Sequence, residues 1–337
     1  MTTDGKNNEK RSSVVSVPDD ISLFQVFDED HDRFAFPGPV YRVTGGHGGE
    51  AILIAGSQRT ALIDCGMAYC GETTVGNIIR RLSALGRDRL DCVFLSHSHY
   101  DHIGALPDIR KAFPKAEVYG SAHCAKILER PGAHSLMKEL GQNALELYDP
   151  ASDKEITTEG LKVDHVLSDG DSVPLGNETI RAFETKGHTD CSMSYLLEPE
   201  SILFTSESTG IIESREYVHT PCLKSFVQGL ASMEKCRSLN PKHICLPHFG
   251  LIPQDFNQRY WDMFRAECHA KASYVAEMKT RGMGEEEMLA NYTDKYWTEA
   301  KAMEQPKEAF LINSRHILGV LLKELDELNS QEKRNGF

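Results

Sequence analysis

The sequence predicts an α/β fold that gives way to an all-helical segment near its C-terminus, and three observations predict it. From about residue 40 to residue 250, short apolar runs alternate with stretches of helical spacing. Those runs end repeatedly on a histidine or an acid: His97 after Val93-Phe-Leu, His188 after Ile180-Arg-Ala-Phe-Glu, Glu207 after Ile202-Leu-Phe-Thr, and His248 after Ile244-Cys-Leu. Beyond about Gln254 the alternation stops and helical periodicity alone remains.

Composition bounds the function classes. At 337 residues the chain is long enough for one large domain and an accessory one, and 40% hydrophobic with 26% charged residues is ordinary for a soluble protein. No apolar run is long enough to cross a bilayer, so no membrane partner is expected. The net charge of -13 argues against nucleic acid as the main partner and leaves room for a local basic mouth that meets a small-molecule substrate. Nine scattered cysteines without a C-x-x-C pair suit reduced thiols in a cytosol. The polar N-terminus lacks the apolar core of a secretion signal, so a cytoplasmic enzyme is expected.

Three segments follow: a disordered arm over residues 1–20, a catalytic domain over 21–253, and a helical extension over 254–330. Within the second, Ile21–Phe27 and Val40–Thr44 alternate as strands do. Gly45-Gly-His47-Gly-Gly49 reads as a hairpin turn, because a phosphate cradle would need a lysine and a helix entry that are missing; His47 could stand near the mouth of a site. Ala51–Ala55 and Thr60–Asp64 form the next hairpin. Asp64, an acid at the end of a buried strand, either orients ligands or caps a turn. Val75, Ile78, Ile79, Leu82 and Leu85 are spaced as one helix face, closed by Gly86. After the strand Cys92–Leu95 come helices over Leu106–Phe113, Ala122–Leu128 and Ala133–Leu147, with a strand over Ala116–Gly120 between the first two. Strands are expected over Val163–Leu167, Thr179–Glu184, Met193–Leu197, Ile202–Thr205 and near His243. Tyr260–Lys279, Glu285–Tyr296 and Phe310–Leu328 are helical, and Ser330–Phe337 reads as a frayed end. The apolar positions of these helices could build a bundle, a homodimer face or a lid.

The chemistry concentrates in Val93–Leu106, V-F-L-S-H-S-H-Y-D-H-I-G-A-L. His97, His99, Asp101 and His102 follow an apolar strand within six positions. As packing elements they would bury three imidazoles and a carboxylate without compensation. As ligands, imidazole and carboxylate suit zinc, with iron or manganese as alternatives, better than calcium. One ion would leave donors unused, so two divalent metal ions are expected.

With Gly187-His188, the acid after L-F-T and Pro247-His248, this string resembles the metallo-β-lactamase fold hydrolases, and Ala61-Leu-Ile-Asp-Cys-Gly66 is similar to that family's early strand. The resemblance covers roughly residues 40 to 250. It implies a four-layer αβ/βα sandwich with a dinuclear site at one edge. His97, His99 and His188 would hold one metal, and Asp101, His102 and His248 the other. The acid between them is normally an aspartate in a Gly-Asp pair; Ser206-Glu207 stands here, so Glu207 either bridges from a withdrawn backbone or binds one metal. Phe249 follows His248 where glycine is common, which implies a narrower or more apolar rim. The tyrosine in H-x-H-Y-D-H and the helical tail are similar to a thioesterase subgroup, in which terminal helices cover the pocket.

Two cations roughly 3.5–4 Å apart would bring a shared water toward neutral pKa, so that a metal-bridging hydroxide attacks and Asp101 aims it. Cys191 reads as a buried bystander. A thioester or ester is the expected substrate. The alternatives are a small phosphodiester, or a metal-retaining protein that senses a ligand or binds a partner. Phe249, Phe310 and Asn313 are candidates for substrate contact. Arg315 and His316 could meet a substrate anion, though the solvated side of a plain helix is the favoured reading.

Overall fold

The computed structural model describes residues 36–298, 301–302 and 305–334. The expected arm over 1–20, the expected strand Ile21–Phe27 and residues 335–337 lie outside the described residues. Two six-stranded sheets face each other. In spatial order the first is β1 (Val40–Arg42), β2 (Ile52–Ala55), β3 (Thr60–Ile63), β4 (Cys92–Phe94), β5 (Glu117–Ser121) and β6 (His165–Leu167). Its β1–β2 and β2–β3 pairs are antiparallel and the others parallel. In the second, β7 (Ser172–Pro174), β8 (Thr179–Glu184), β9 (Met193–Glu198) and β10 (Ile202–Phe204) run antiparallel in turn. Beyond β10 lie β13 (His243–Leu246), joined parallel to it, and β14 (Gly250–Leu251). A separate hairpin pairs β11 (Ile211–Ser214) with β12 (Tyr217–His219).

The two-residue period of the strands explains the layers. Ile52 and Ile54 of β2 and Cys92 and Phe94 of β4 pack between the sheets against Ile180, Tyr195, Leu197 and Phe204. The intervening Leu53 and Val93 face the other way. They meet Ile78 and Leu82 of α1 (Gly71–Ala84) and Leu106 and Ile109 of α3 (Leu106–Ala112), which follows the single turn α2 (Tyr100–Ile103). Also on this side are α4 (Ala122–Leu128) and the longer α5 (Pro131–Tyr148). On the outer face of the second sheet, Leu196, Leu203 and Ile244 are covered by α6 (Phe226–Ser238), α7 (Asn257–Thr280), α8 (Glu285–Tyr296) and α9 (Lys307–Arg334). The result is the helix–sheet–sheet–helix sandwich that the motifs implied, with an added helical region.

The sequence reading missed β7, the β11–β12 hairpin, the two-residue β14 and α6. The buried side of α6 is Phe226, Gly229, Ser232, Met233 and Cys236, too small and polar to write an apolar stripe. Its small residues have a structural reason. A Cβ on Gly187, whose φ is +139°, would come within 2.6 Å of the Gly229 backbone, so two glycines let α6 press on the turn that carries His188. At the other end of the chain, α9 continues to Arg334, where fraying from Ser330 onward was expected. Phe264, Val275 and Met278 of α7 and Ile317, Leu318 and Leu321 of α9 are buried together, so the apolar positions of the tail build an intramolecular bundle.

Candidate metal centre

The ends of β4, β8, β10 and β13 meet at one edge of the sandwich. The turn after β4 is tied across the sheets: the Met193 amide donates to the Ser96 carbonyl at 2.7 Å, and the Tyr195 hydroxyl to the Leu95 carbonyl at 2.7 Å. The ends of β8 and β10 are joined by buried hydroxyls, with Thr185 Oγ1 2.9 Å from Ser194 and 3.0 Å from Ser206. The glycine-rich segment, a hairpin connection as expected, backs the site. Its Glu50 amide donates to the Pro247 carbonyl at 2.8 Å, and a Cβ on Gly49 would strike the Asp101 carbonyl at 2.6 Å. His47 stacks on Tyr148 at 5.1 Å and is not part of the cavity wall.

Asp64 follows β3 in the left-handed region, at φ +52°, and accepts three hydrogen bonds: from the Ser96 amide at 2.7 Å, the Ser96 hydroxyl at 2.6 Å and His102 Nδ1 at 3.2 Å. Ser96 Oγ is itself 2.9 Å from His97 Nδ1. One carboxylate therefore orients His102 directly and His97 through a serine, which selects the orienting role over the turn cap. His188 Nδ1 donates to the Pro221 carbonyl at 2.5 Å, which leaves Nε2 for the centre.

The donors fall into two groups, each with its atoms within 4.8 Å of one another: His97, His99 and His188, and then Asp101, His102, Glu207 and His248. Across the first group His188 Nε2 stands 3.0 Å from His99 Nδ1. Glu207 lies between the groups. Its Oε1 is 2.8 Å from His102 Nε2 and 3.0 Å from His248 Nε2, while Oε2 is 3.2 Å from His188 Nε2. All seven residues named from the sequence converge here.

Burial, with the neighbouring histidines, holds His97 well below the ordinary imidazole range; burial and His188 bring His99 down to about 4. Burial opposes charge on Asp101 too, but His102 beside it draws its carboxyl down to about 2. Glu207 is held well below the usual range against its burial by His188, His102 and His248. His102 goes the other way: burial resists its charge, yet Asp101, Asp64 and Glu207 lift it well above the normal value. His97 Nε2 is a buried ring nitrogen with no hydrogen-bond partner among the described residues. The neutral imidazoles of His97 and His99, the orphaned His97 nitrogen and the ionised carboxylates suit a divalent metal ion, and the donor set fits one.

His99 and His188 of the first group and Asp101, Glu207 and His248 of the second line a cavity of about 360 Å³, with His97 and His102 buried behind them. Ile127 of α4 and Leu136 and Leu140 of α5 make one wall. The opposite wall is a stripe of α9, Ala309, Ile312, Asn313 and His316, spaced i, i+3, i+4, i+7. Phe249 lines the cavity beside His248, with φ +63° where glycine would be relaxed. Phe310 corrects an expectation. It belongs to the neighbouring stripe of α9, which turns toward the bundle, and it is 2% exposed, 5.0 Å from Trp297 and 6.5 Å from Tyr292. Arg315 pairs with Glu286 of α8 at 2.6 Å on the surface, whereas His316 reaches the cavity. Cys191 is buried between Ser98 and Thr189 and is not on the cavity wall. Glu213, His219 and Lys301 also line the cavity and were not singled out from the sequence. His219 closes a three-residue strand, too short for a period-two signal.

A model of the metallo-beta-lactamase superfamily matches residues 44–248. A metallo-beta-lactamase fold-containing protein of Sulfurisphaera tokodaii is 29% identical over 202 residues, 59% of this chain and 72% of that protein. An atrochrysone carboxyl ACP thioesterase of Aspergillus fumigatus is 25% identical over 234 residues, 65% of this chain and 58% of that enzyme. Among solved structures, a metallo-beta-lactamase family protein of Thermus thermophilus superposes with a TM-score of 0.54 at 17% identity, over 87% of this chain and 94% of the other.

Proposed function

The chain belongs to the metallo-beta-lactamase superfamily, and from that premise we propose that it is a dinuclear metal-dependent hydrolase of thioesters or related esters. His97, His99 and His188 would hold one divalent cation, and Asp101, His102 and His248 the other, with Glu207 facing both. Bound there, the cations would supply Lewis acidity toward a substrate carbonyl and a water acidified toward neutral pH. Zinc suits the donor set first, with iron or manganese as alternatives. The observation that carries the reading is Glu207: its two oxygens reach His102, His248 and His188, so one carboxylate spans both donor groups.

The chain's own groups do the rest. Asp101 remains ionised across the neutral range, so it can accept a hydrogen bond from an attacking water and aim it. Asp64 and the Pro221 carbonyl fix the imidazoles that surround that water. The apolar walls from α4, α5 and α9 favour an acyl group over a phosphodiester. The fungal thioesterase among the relatives supports the same class.

The test is a panel of acyl-CoA and aryl thioesters, aryl esters and a bis-aryl phosphate, offered to zinc-, iron- and manganese-loaded protein. Thioesters are expected to give the highest kcat/KM, and Asp101→Ala and His99→Ala to abolish turnover. Preference for the phosphodiester would overturn the substrate class. Absence of any cleavage would overturn the enzyme and favour a metal-retaining binding protein.

A further inference from the structure

The cavity holds a second polar group that the metal centre does not use. β12 delivers His219, 6% exposed, to its wall. Behind it Lys271 of α7, 0% exposed, donates its ammonium to His219 Nδ1 at 3.3 Å and to the Thr220 carbonyl at 3.5 Å. An ammonium can only donate, so Nδ1 is the acceptor and the ring proton is on Nε2. Burial, then Lys271 and Lys301, keep His219 well below the ordinary imidazole range, so the ring is neutral. Nε2 is thus a neutral N–H donor, left for a ligand in the cavity.

Lys301 stands on the same cavity wall, 3% exposed. Its Nζ is 2.7 Å from Glu213 Oε1 and 2.8 Å from Oε2, and Thr298 Oγ1 donates to the same carboxylate at 3.1 Å. Glu213 can take two of the three ammonium protons; among the described residues no hydrogen bond takes the third, although the Tyr217 ring lies 5.2 Å from Nζ. Packing alone does not account for this pair: apolar residues of the same volume would serve an apolar wall as well or better. The charges also balance locally, Lys301 against Glu213 and Lys271 against Glu267 at 3.9 Å. At this subsite a ligand carboxylate would find both lysines already matched to an acid and would face the Glu213 charge; the exposed Lys224 lines the same cavity but is not part of this network. A neutral acceptor would satisfy the spare donors without that penalty.

We propose that His219, Lys301 and Glu213 form a hydrogen-bonding subsite for a neutral oxygen, a carbonyl or a hydroxyl, on the acyl part of the substrate. The assignment rests on the acyl-hydrolase reading, in which the reacting carbonyl lies over the donors His99, Asp101, His188 and His248 of the same cavity. Lys271 is a positioning residue: it fixes which nitrogen of His219 carries the proton.

The test measures binding, so that it stands apart from turnover. Zinc-loaded protein is titrated calorimetrically with octanamide, with oxo- and hydroxyoctanamides carrying the oxygen at successive carbons, and with suberamic acid, whose far end is a carboxylate. At one carbon or two adjacent ones the oxygenated amide should bind at least about tenfold more tightly than octanamide, and suberamic acid no more tightly. Within His219→Phe and within Lys301→Met the same ratio should fall below about threefold, while His219→Gln, which keeps an N–H donor, retains part of it. The wild-type comparison stands even where a variant fails to fold. Equal binding of all neutral amides, no binding of any, tightest binding of suberamic acid, or a preference that survives in folded His219→Phe would each overturn the subsite. Cleavage of thioesters without the preference would remove the subsite alone; the preference without cleavage would remove the hydrolase reading alone.

Discussion

Asp64 touches neither cavity nor substrate, yet its two oxygens set Ser96, His102 and, through Ser96, His97. Replacing it with asparagine keeps the shape but weakens acceptance from two partners. Asp64→Asn should lower metal affinity by roughly 10–100-fold, read by competition with a chromogenic chelator, with little change in far-ultraviolet circular dichroism. His102 makes a prediction with a definite sign. Its raised pKa leaves it protonated near pH 7, and a cation bound through Nε2 requires that proton to go. Metal binding should therefore release at least one proton. Apparent affinity should climb with pH toward the raised value, by up to about tenfold per unit for one proton. His99, already down at about 4, adds no competition above that. Calorimetry in buffers of different ionisation enthalpy counts the protons, and a count of zero at pH 7 would contradict the assignment. At this level the sequence was most legible. Four donors are adjacent in the chain, and chance juxtaposition of such groups after a buried strand is penalised by desolvation. Phe310 and Asn313 were harder to separate, because a three-residue offset turns the side chain by only about 60°, and that turn carries Phe310 from the cavity stripe to the one facing the bundle.

The glycine contact between Gly187 and Gly229 shows what a helix can hide. α6 has no strong apolar stripe, yet it fixes the height of the His188 turn by backbone approach. A second device ties α6 to α9. Glu324 accepts from the Ser225 hydroxyl at 2.6 Å and from the Phe226 amide at 3.2 Å, so a residue of the last helix serves the open N-terminus of an earlier one. Glu324→Ala should destabilise the protein by about 1–2 kcal/mol in urea unfolding, because two donors lose a charged acceptor. A change below a few tenths would show that solvent replaces the carboxylate. Strands were read well where apolar runs were continuous. The strands β7, β11, β12 and β14 were missed because each is short and is not part of a longer apolar or alternating run.

Across the whole molecule the cavity belongs to no single layer. α4 and α5 come from the first sheet's side and α9 from the second, and they meet over the edge where the strand ends converge. Leu136 of α5 and Ile312 of α9 both line the cavity and are about half exposed. If this is where an acyl chain enters, Ile312→Asp should raise KM for an octanoyl thioester several-fold relative to an acetyl one, since the lost contact is worth on the order of 1 kcal/mol. Because about half of Ile312 is exposed, the melting temperature should move little. An unchanged octanoyl-to-acetyl ratio would place the acyl chain elsewhere.

The sequence by itself determined the alternation of strands and helices, the switch to helices after Gln254 and the strand ends that carry the seven candidate donors, because periodicity and residue type are local properties; the layers and the pairing of donors came from the family resemblance. Tertiary structure alone decided that Glu207 spans both donor groups, that Ile312 rather than Phe310 faces the cavity, and that His219, Lys271, Lys301 and Glu213 share one buried network. Those facts depend on distances between segments that can lie 105 residues apart, as His102 and Glu207 do. No pattern within any one segment encodes such a distance; the packing of sheets and helices sets it.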